Sequence, residues 1–156
     1  MNILGIDPGR NGGIALLNGE TLRVECWPMP DDVLTLQGLL AGLPDVSICA
    51  LEQIYAGPQM GARSIGVMFE QFGILKCALA WFHIPVELVR PGIWKAALNV
   101  PADKTAARRR ASETFPEDAG QWKRVKDDGL AEAALIAWWA YGKFGMPQPK
   151  KLTRSR

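Results

Sequence analysis

The sequence predicts a mixed α/β domain in which a five-stranded sheet is flanked by helices. The first observation behind this prediction is a series of short apolar runs bounded by turn residues, which is typical of strands. The second is that segments with helical spacing of apolar residues alternate with the later strand-like runs. The third is a strongly apolar helical segment near the end. With 156 residues the chain fits one domain, predicted over residues 1–142, and a basic, flexible tail is expected over 143–156.

Each element is predicted from its own residues. The apolar runs predict five strands, at 2–7, 13–17, 21–27, 46–51 and 85–89. Helical spacing predicts helices at 31–43, 64–82, 93–98, 103–115 and 128–141. Asn18-Gly19 predicts a hairpin turn between the second and third strands, and Asp31 or Asp32 is expected to cap the first helix. An antiparallel meander followed by strands with helical crossovers is the order of the ribonuclease H-like fold.

Composition argues against several classes of protein. No stretch approaches the roughly 20 apolar residues of a membrane span, and the N-terminus has no signal-peptide features. We therefore expect no membrane association and a cytoplasmic location, bacterial or phage-encoded. The three cysteines, Cys26, Cys49 and Cys77, lack zinc-finger spacing and lie in apolar runs, so they are expected to be small buried hydrophobes.

Basic residues are concentrated in one part of the chain, although the net charge is only +2. Acidic residues dominate 31–45, whereas basic residues cluster later, at Lys104, Arg108, Arg109, Arg110, Lys123, Arg124 and Lys126. Clustering of this kind is typical of a surface that binds nucleic acid. A solvated charged face with no partner is the alternative interpretation.

Two carboxylates follow predicted strands directly. Asp7 ends the first strand and Glu52 ends the fourth, and these strands are neighbours in a ribonuclease H-like sheet. The two acids are therefore expected to lie close together, where their repulsion favours a shared proton or a bound cation. For Asp7 alone, capping of the Asp-Pro-Gly turn is the simpler alternative.

The start of the last helix carries three more acids, Asp127, Asp128 and Glu132. Asp128 and Glu132 are four residues apart and project from one face of the helix. Small alanines beside them would let the helix approach the sheet closely. Acids at a helix N-terminus also stabilise the helix dipole, which needs no further function.

An acidic set without histidine or cysteine indicates a particular chemistry. Carboxylate oxygens are suited to the hard cations Mg²⁺ and Mn²⁺. Two such ions about 3.5–4 Å apart can activate water and stabilise the leaving oxygen in phosphodiester hydrolysis. We therefore predict Mg²⁺, two ions per site and replaceable by Mn²⁺, held by Asp7, Glu52, Asp128 and Glu132.

Several short motifs, in their order along residues 3 to about 137, resemble the RuvC-like Holliday junction resolvases, closest to the short, often phage-associated type. They are Gly5-Ile6-Asp7-Pro8-Gly9, Glu52, Phe72-Gly73-Ile74-Leu75, Ile84-Pro85-Val86, Pro91-Gly92-Ile93-Trp94-Lys95, Asp103-Lys104 and Asp127-Asp128-Gly129-Leu130-Ala131-Glu132-Ala133. The resemblance implies a Mg²⁺-dependent homodimer that binds a four-way DNA junction and nicks two opposing strands symmetrically, in recombination and repair.

The resemblance also implies roles for single residues. Asp7 and Glu52 match the first two metal ligands of the family. The last helix departs from the usual pair of aspartates three residues apart, so the third and fourth ligands stay open, with Asp127 as an alternative. Lys104 matches a basic position near the scissile phosphate and is predicted to be catalytic. The resemblance implies that the N-terminal half of the helix at 64–82 borders the DNA and that the helix forms the dimer interface. Its apolar residues exceed one core face, as such an interface requires.

DNA contacts are expected from five basic residues and from one aromatic residue, which would stack on a base near the junction centre. They are Lys104, Arg108, Arg109, Lys123, Lys126 and Phe69. A place in the core or the dimer interface is the alternative for this aromatic residue. Alternatives are a ribonuclease H-like nuclease for other branched DNA or structured RNA, and a junction-binding protein without catalysis. A sugar kinase or actin-like ATPase would need a second phosphate loop, which the sequence lacks, and no organic cofactor is expected.

Overall fold

The computed structural model describes residues 1–101, 103 and 105–145, and its centre is a mixed five-stranded sheet. The strands are β1 (Asn2–Asp7), β2 (Gly13–Asn18), β3 (Val24–Pro28), β4 (Ile48–Glu52) and β5 (Val86–Val89). Their spatial order is β3-β2-β1-β4-β5. The first three strands pair antiparallel, while β1, β4 and β5 run parallel. The predicted ribonuclease H-like sheet is therefore confirmed.

Helices cover both faces of this sheet. They are α1 (Val33–Ala41), α2 (Ala62–Trp81), α3 (Pro91–Ala97), α4 (Ala106–Thr114) and α5 (Asp128–Ala140). Two short helical turns, Ala119–Trp122 and Val125–Asp127, lie before α5, and a further turn, Tyr141–Gly145, follows it. Sequence periodicity did not predict these turns because each is too short to show a period. None of the helices in the described residues has the length and apolar character needed to cross a membrane.

The strand β1 separates two apolar cores because its side chains alternate between the two faces of the sheet. Ile3 belongs to the core formed with α5, α3 and α4, and Leu4 and Ile6 belong to the core formed with α1 and α2. Only three residues of the twenty-residue helix α2 are buried, Phe72, Leu75 and Leu79. The rest of that helix leaves apolar residues uncovered in the single chain.

The backbone of α5 lies almost directly on β1 at Gly5. A Cβ atom at this position would be 2.2 Å from the carbonyl oxygen of Ala133 and 2.4 Å from the amide nitrogen of Ala137. No side chain fits there, so glycine in β1 and alanine in α5 permit the close approach that the alanine-rich sequence predicts. This contact fixes how far the start of α5 lies from the end of β1.

Two local predictions differ from the structure. The β2–β3 connection is longer than expected, because Asn18 caps the turn by accepting hydrogen bonds from the backbone N–H groups of Glu20 and Thr21. Leu22 then adopts a φ of 56°, and β3 begins only at Val24. Cys77 is exposed on α2 rather than buried, because its side of the helix faces away from the core. By contrast Asp32 caps α1, as predicted.

Residues 143–145, at the start of the predicted tail, belong to the turn after α5, where Lys143 pairs with Glu87. The remainder of the tail lies outside the described residues, so its flexibility stays a prediction.

Candidate active site

Asp7 and Glu52 lie side by side at one edge of the sheet. Ile6 pairs with Leu51 across the parallel strands β1 and β4, so the acid that follows each of them is at the same level. The main chain turns away immediately after Asp7, and the backbone N–H of Gly9 donates to its Oδ1 at 3.2 Å. This N–H bond is the turn-capping role that was the alternative for Asp7, and it leaves the second carboxylate oxygen, Oδ2, for another partner.

Glu132 joins these two acids from the first turns of α5. A second tight backbone contact places it: a Cβ on Gly129 would be 2.1 Å from the carbonyl oxygen of Asn11. Gly129 therefore lets the start of α5 rest on the loop that follows β1. The negative charge of Glu132 raises the pKa of both Asp7 and Glu52, so the three carboxylates lie near enough to repel one another, and we call this group the carboxylate pocket.

The pKa values of the pocket show how unfavourable its negative charge is. Burial is the main cause that raises the pKa of Asp7 to about 6, and the charge of Glu132 is the second. The hydrogen bond from the Gly9 N–H and the charge of Lys95 lower the pKa, but by less. Burial also raises the pKa of Glu52 to about 7; a hydrogen bond from Trp94 lowers it, and the charges of Asp7 and Glu132 raise it. A site that disfavours its own charge in this way gains when a proton or a cation binds.

Two adjacent residues of α3 contact two of the acids, and sequence reasoning gave neither of them a role. The indole Nε1 of Trp94 donates to Glu52 Oε2 at 2.6 Å. The ammonium of Lys95 is 2.8 Å from Glu132 Oε1, and it also lies 5.1 Å from the centre of the Trp94 ring. The available signal was the motif Pro91-Gly92-Ile93-Trp94-Lys95, in which a helix start places an indole and a cation in succession.

Asp128 is separate from this group, although it shares a helix face with Glu132. Its Oδ1 lies 2.5 Å from Nε of Arg108 on α4, an ion pair whose geometry is not that of a directed hydrogen bond. Asp128 is not among the charges that shift the pKa of Asp7 or Glu52. Three of the four predicted metal ligands therefore lie together, whereas the fourth, Asp128, is paired with Arg108.

Asp127 is held in a different way again. Arg124 donates to it through Nε at 2.9 Å and through Nη2 at 3.0 Å, and the Arg124 backbone N–H adds a bond at 3.2 Å. These bonds from Arg124 lower the pKa of Asp127. With both oxygens occupied in closing the turn before α5, Asp127 has a structural explanation that needs no metal.

The chemistry of the carboxylate pocket suits a divalent cation, but its acids are too far apart to bind one without moving. Within the ranges described above, no three histidine, cysteine, aspartate or glutamate side chains are grouped closely enough to hold an ion as they stand. The donors are nevertheless oxygen atoms of three acids in mutual repulsion, which suits a hard cation. The ammonium of Lys95 supplies the positive charge beside Glu132.

Part of the predicted basic surface forms a cleft next to α4. Arg108, Arg109 and Lys123 line it together with Thr105 and Ser112, and its volume is about 400 Å³. Arg109 and Lys123 are exposed, as is Lys126 in the turn before α5. Lys104, predicted to be catalytic and to bind DNA, lies outside the described residues. Phe69 is 48% exposed in the N-terminal half of α2, where stacking on a base is sterically open.

The chain is similar to known proteins in structure rather than in sequence. No family model matches the chain, and no curated protein matches it. A structure of Thermus thermophilus RuvC in complex with a Holliday junction substrate is 16% identical, with a TM-score of 0.64, and covers 93% of this chain and 97% of its own. A second Thermus thermophilus RuvC structure is 18% identical with the same coverage and a TM-score of 0.59. The yeast mitochondrial Holliday junction resolvase Ydc2 is 18% identical, covers 90% of this chain and 80% of its own, and has a TM-score of 0.47.

The fold and the pocket together define a class: a ribonuclease H-like domain with partly buried carboxylates at the carboxyl ends of β1 and β4 and on the adjoining helix α5. Within that class the chain has the fold of RuvC over nearly its whole length. The resemblance that the motifs predicted is thereby confirmed at the level of the fold.

Proposed function

We propose that this protein is a Mg²⁺-dependent endonuclease that resolves four-way DNA junctions by paired symmetric nicks. The observation that carries the proposal is the convergence of Asp7, Glu52 and Glu132 in one pocket on the fold of RuvC. Acids whose pKa values are raised by burial and by neighbouring negative charge, as those of Asp7 and Glu52 are, are typical of functional sites. The cytoplasm is the proposed place of action.

Asp7, Glu52 and Glu132 would hold the metal. Bound Mg²⁺ or Mn²⁺, two ions in the full proposal, would supply an activated water and stabilise the leaving oxygen. For this, Glu132 must exchange the ammonium of Lys95 for the cation. Lys95 would then be free to face a phosphate oxygen instead of a carboxylate. Asp128 would become a fourth ligand only by leaving Arg108, so we place it second to Glu132.

The basic cleft supports binding of the DNA backbone. Arg109 and Lys123 are exposed there, and Arg108 is held at its inner side by Asp128 and by a bond to the Lys123 carbonyl. Phosphates contacted by such residues release counterions, so affinity should fall steeply with salt. Lys126 and Lys104 extend the proposed contacts, the latter near the scissile phosphate, and Phe69 is proposed to stack on a base.

A homodimer is proposed because two symmetric nicks in one complex require two active sites. Helix α2 offers the interface: Val67, Ile74 and Trp81 recur every seven residues along one side, where Ile74 also packs against the core beneath the helix. Trp81 is 76% exposed, and Val67 is also exposed. Ile74, Cys77 and Trp81 line an apolar groove of about 280 Å³ between α2 and α1. A second copy would cover this apolar side by isologous packing.

One assay tests the function directly. Purified protein is incubated with four-way junctions, Y-shaped DNA, linear duplex and structured RNA, each with Mg²⁺, with Mn²⁺ and with EDTA. We expect paired nicks in the four-way junction with either metal and none in EDTA, and Asp7→Asn should bind the junction without cutting it. Preferential cutting of Y-shaped DNA or RNA would favour the broader nuclease alternatives, and binding without cutting in any metal would favour a non-catalytic junction protein.

A further inference from the structure

We propose that Trp94 is a positioning residue whose indole N–H orients the Glu52 carboxylate toward a bound divalent cation. The presence of a cation rests on the proposed function, but Trp94 is not one of the three acids to which that function assigns the cation. Trp94 is not itself a metal ligand, because an indole N–H can only donate a hydrogen bond.

The position of the indole is fixed by the fold. Trp94 is fully buried, in the same core as Val89, Ala106 and Ala131. Pro91 occupies the first turn of α3, where its fixed φ is compatible with a helix start. Trp94 therefore follows at a fixed position in this helix. A large ring in a close-packed interior has one orientation, and the direction of its N–H is therefore constant.

The contact with Glu52 is short and specific. Trp94 Nε1 lies 2.6 Å from Glu52 Oε2, and within the described part of the chain the structure gives that carboxylate no other hydrogen bond. Hydrogen bonds to ionised groups are shorter than neutral ones. Glu52 has a long side chain with three rotatable bonds, so without this donor its carboxylate would sample several directions in the pocket.

The three acids are held by donors of different kinds, and this difference indicates what each donor does. Asp7 accepts from a backbone N–H, Glu52 from the neutral indole, and Glu132 from the ammonium of Lys95. The ammonium competes with a metal ion for negative charge, whereas the indole carries no charge and occupies one oxygen only. The indole can thus remain in place while the other Glu52 oxygen binds the cation.

A matched pair of tryptophans makes the test specific. Trp94→Phe keeps an aromatic ring and removes the N–H. Trp122 is the control: it is also fully buried, and its Nε1 donates to Ser112 Oγ at 3.0 Å, a group outside the acidic pocket. Trp122→Phe therefore removes an equivalent buried hydrogen bond with no reason to change the metal site.

Direct Mn²⁺ binding by calorimetry, without DNA, is the first measurement. We expect Trp94→Phe to bind Mn²⁺ about tenfold or more weakly, since a hydrogen bond to a charged group corresponds to roughly that factor. Trp122→Phe should bind as the wild type does. With junction DNA, raising the Mn²⁺ concentration should restore the cleavage rate of Trp94→Phe, and affinity for DNA in EDTA should be unchanged.

If Trp94→Phe fails to fold, benzothienylalanine at position 94 keeps the shape of the indole and replaces its N–H with sulfur. Wild-type Mn²⁺ affinity in either variant, or equal weakening in Trp122→Phe, would overturn the proposal. Junction cutting by the wild type with unchanged Mn²⁺ affinity in Trp94→Phe would reject this role and leave the nuclease function intact. Trp94-dependent Mn²⁺ binding without cutting of any nucleic acid would support this role and reject the function.

Discussion

Arg108 and Asp128 form an ion pair between α4 and α5, with Nε and Oδ1 2.5 Å apart. This pairing removes Asp128 from the carboxylate pocket, although it stands one helical turn from Glu132 on the same face. It also holds Arg108 at the inner side of the basic cleft. The pair thus links the position of α5, which carries Glu132, to the surface proposed to bind DNA.

Amide substitutions at the two acids of α5 should have different effects. Glu132→Gln removes a carboxylate from the pocket, so cleavage should fall by orders of magnitude and Mn²⁺ should bind more weakly. Asp128→Asn should preserve Mn²⁺ affinity and keep the rate at saturating DNA within about tenfold, while DNA affinity changes because Arg108 loses its partner. Cleavage rates and Mn²⁺ calorimetry of both variants provide the check. Loss of metal binding in a folded Asp128→Asn protein would return Asp128 to the ligand set.

A methyl group at Gly5 should displace α5. The Cβ of Gly5→Ala would meet the backbone of Ala133 and Ala137 rather than a flexible side chain, so relief requires movement of the helix. We expect a loss of about 3 kcal/mol in the free energy of unfolding, toward the upper end of the usual cost of overpacking. The control is Gly38→Ala in α1, where nothing lies within 4 Å of the new Cβ, and it should stabilise by about 0.5–1 kcal/mol. Denaturant titration measures both, and equal effects would contradict the close contact.

Asp118 should stabilise the fold at neutral pH, and this contribution should be lost at low pH. Burial raises the pKa of Asp118, but hydrogen bonds from Arg23 and the Val24 N–H, together with the Arg23 charge, lower it overall. A folded pKa below the unfolded value means that the contribution is fully present above about pH 4 and is lost as the pH falls through the folded value. Asp118→Asn should therefore cost about 1–3 kcal/mol at pH 7, and the difference from wild type should shrink below pH 4.

Glu117→Gln is the control for that measurement. Glu117 also pairs with Arg23, at 2.7 Å, but both side chains of this pair are more than half exposed. An exposed pair contributes little, so this variant should lie within about 0.5 kcal/mol of wild type. Urea titrations from pH 3 to pH 7 test both variants, and a pH-independent defect in Asp118→Asn would reject the assigned role.

A charge on the outer side of α2 should separate the proposed dimer. Val67→Asp, at an exposed residue of that helix, would place an unpaired carboxylate in a dry interface, so the protein should sediment as a monomer at concentrations where wild type is dimeric. Junction cleavage should then change from paired nicks to slow single nicks. Val125→Asp adds the same charge at an exposed apolar residue outside α2 and should leave the dimer intact. A wild-type protein that is monomeric at micromolar concentration would contradict the dimer itself.

The order of strands and helices was determined by the sequence, and so was the placement of Asp7 and Glu52. Each strand is a local apolar run, and adjacent parallel strands bring the residues at their carboxyl ends together. Local patterns were less successful where side chains act on the backbone, as at Asn18, whose hydrogen bonds lengthen the β2–β3 turn. The exposure of Cys77 was also missed, because an apolar run does not show which side of a helix is left uncovered.

The tertiary structure alone decided which acid of α5 enters the pocket. Residues four apart project from one helix face, so periodicity treats Asp128 and Glu132 as equivalent. The backbone contacts at Gly5 and Gly129 set the height of α5 over the sheet, and they bring Glu132 to Asp7 while Asp128 meets Arg108. Trp94 and Lys95 reach the pocket from α3, more than forty residues after Glu52. No local sequence pattern relates residues that are so far apart. Contacts of this kind depend on how elements pack, and packing is a property of the folded chain.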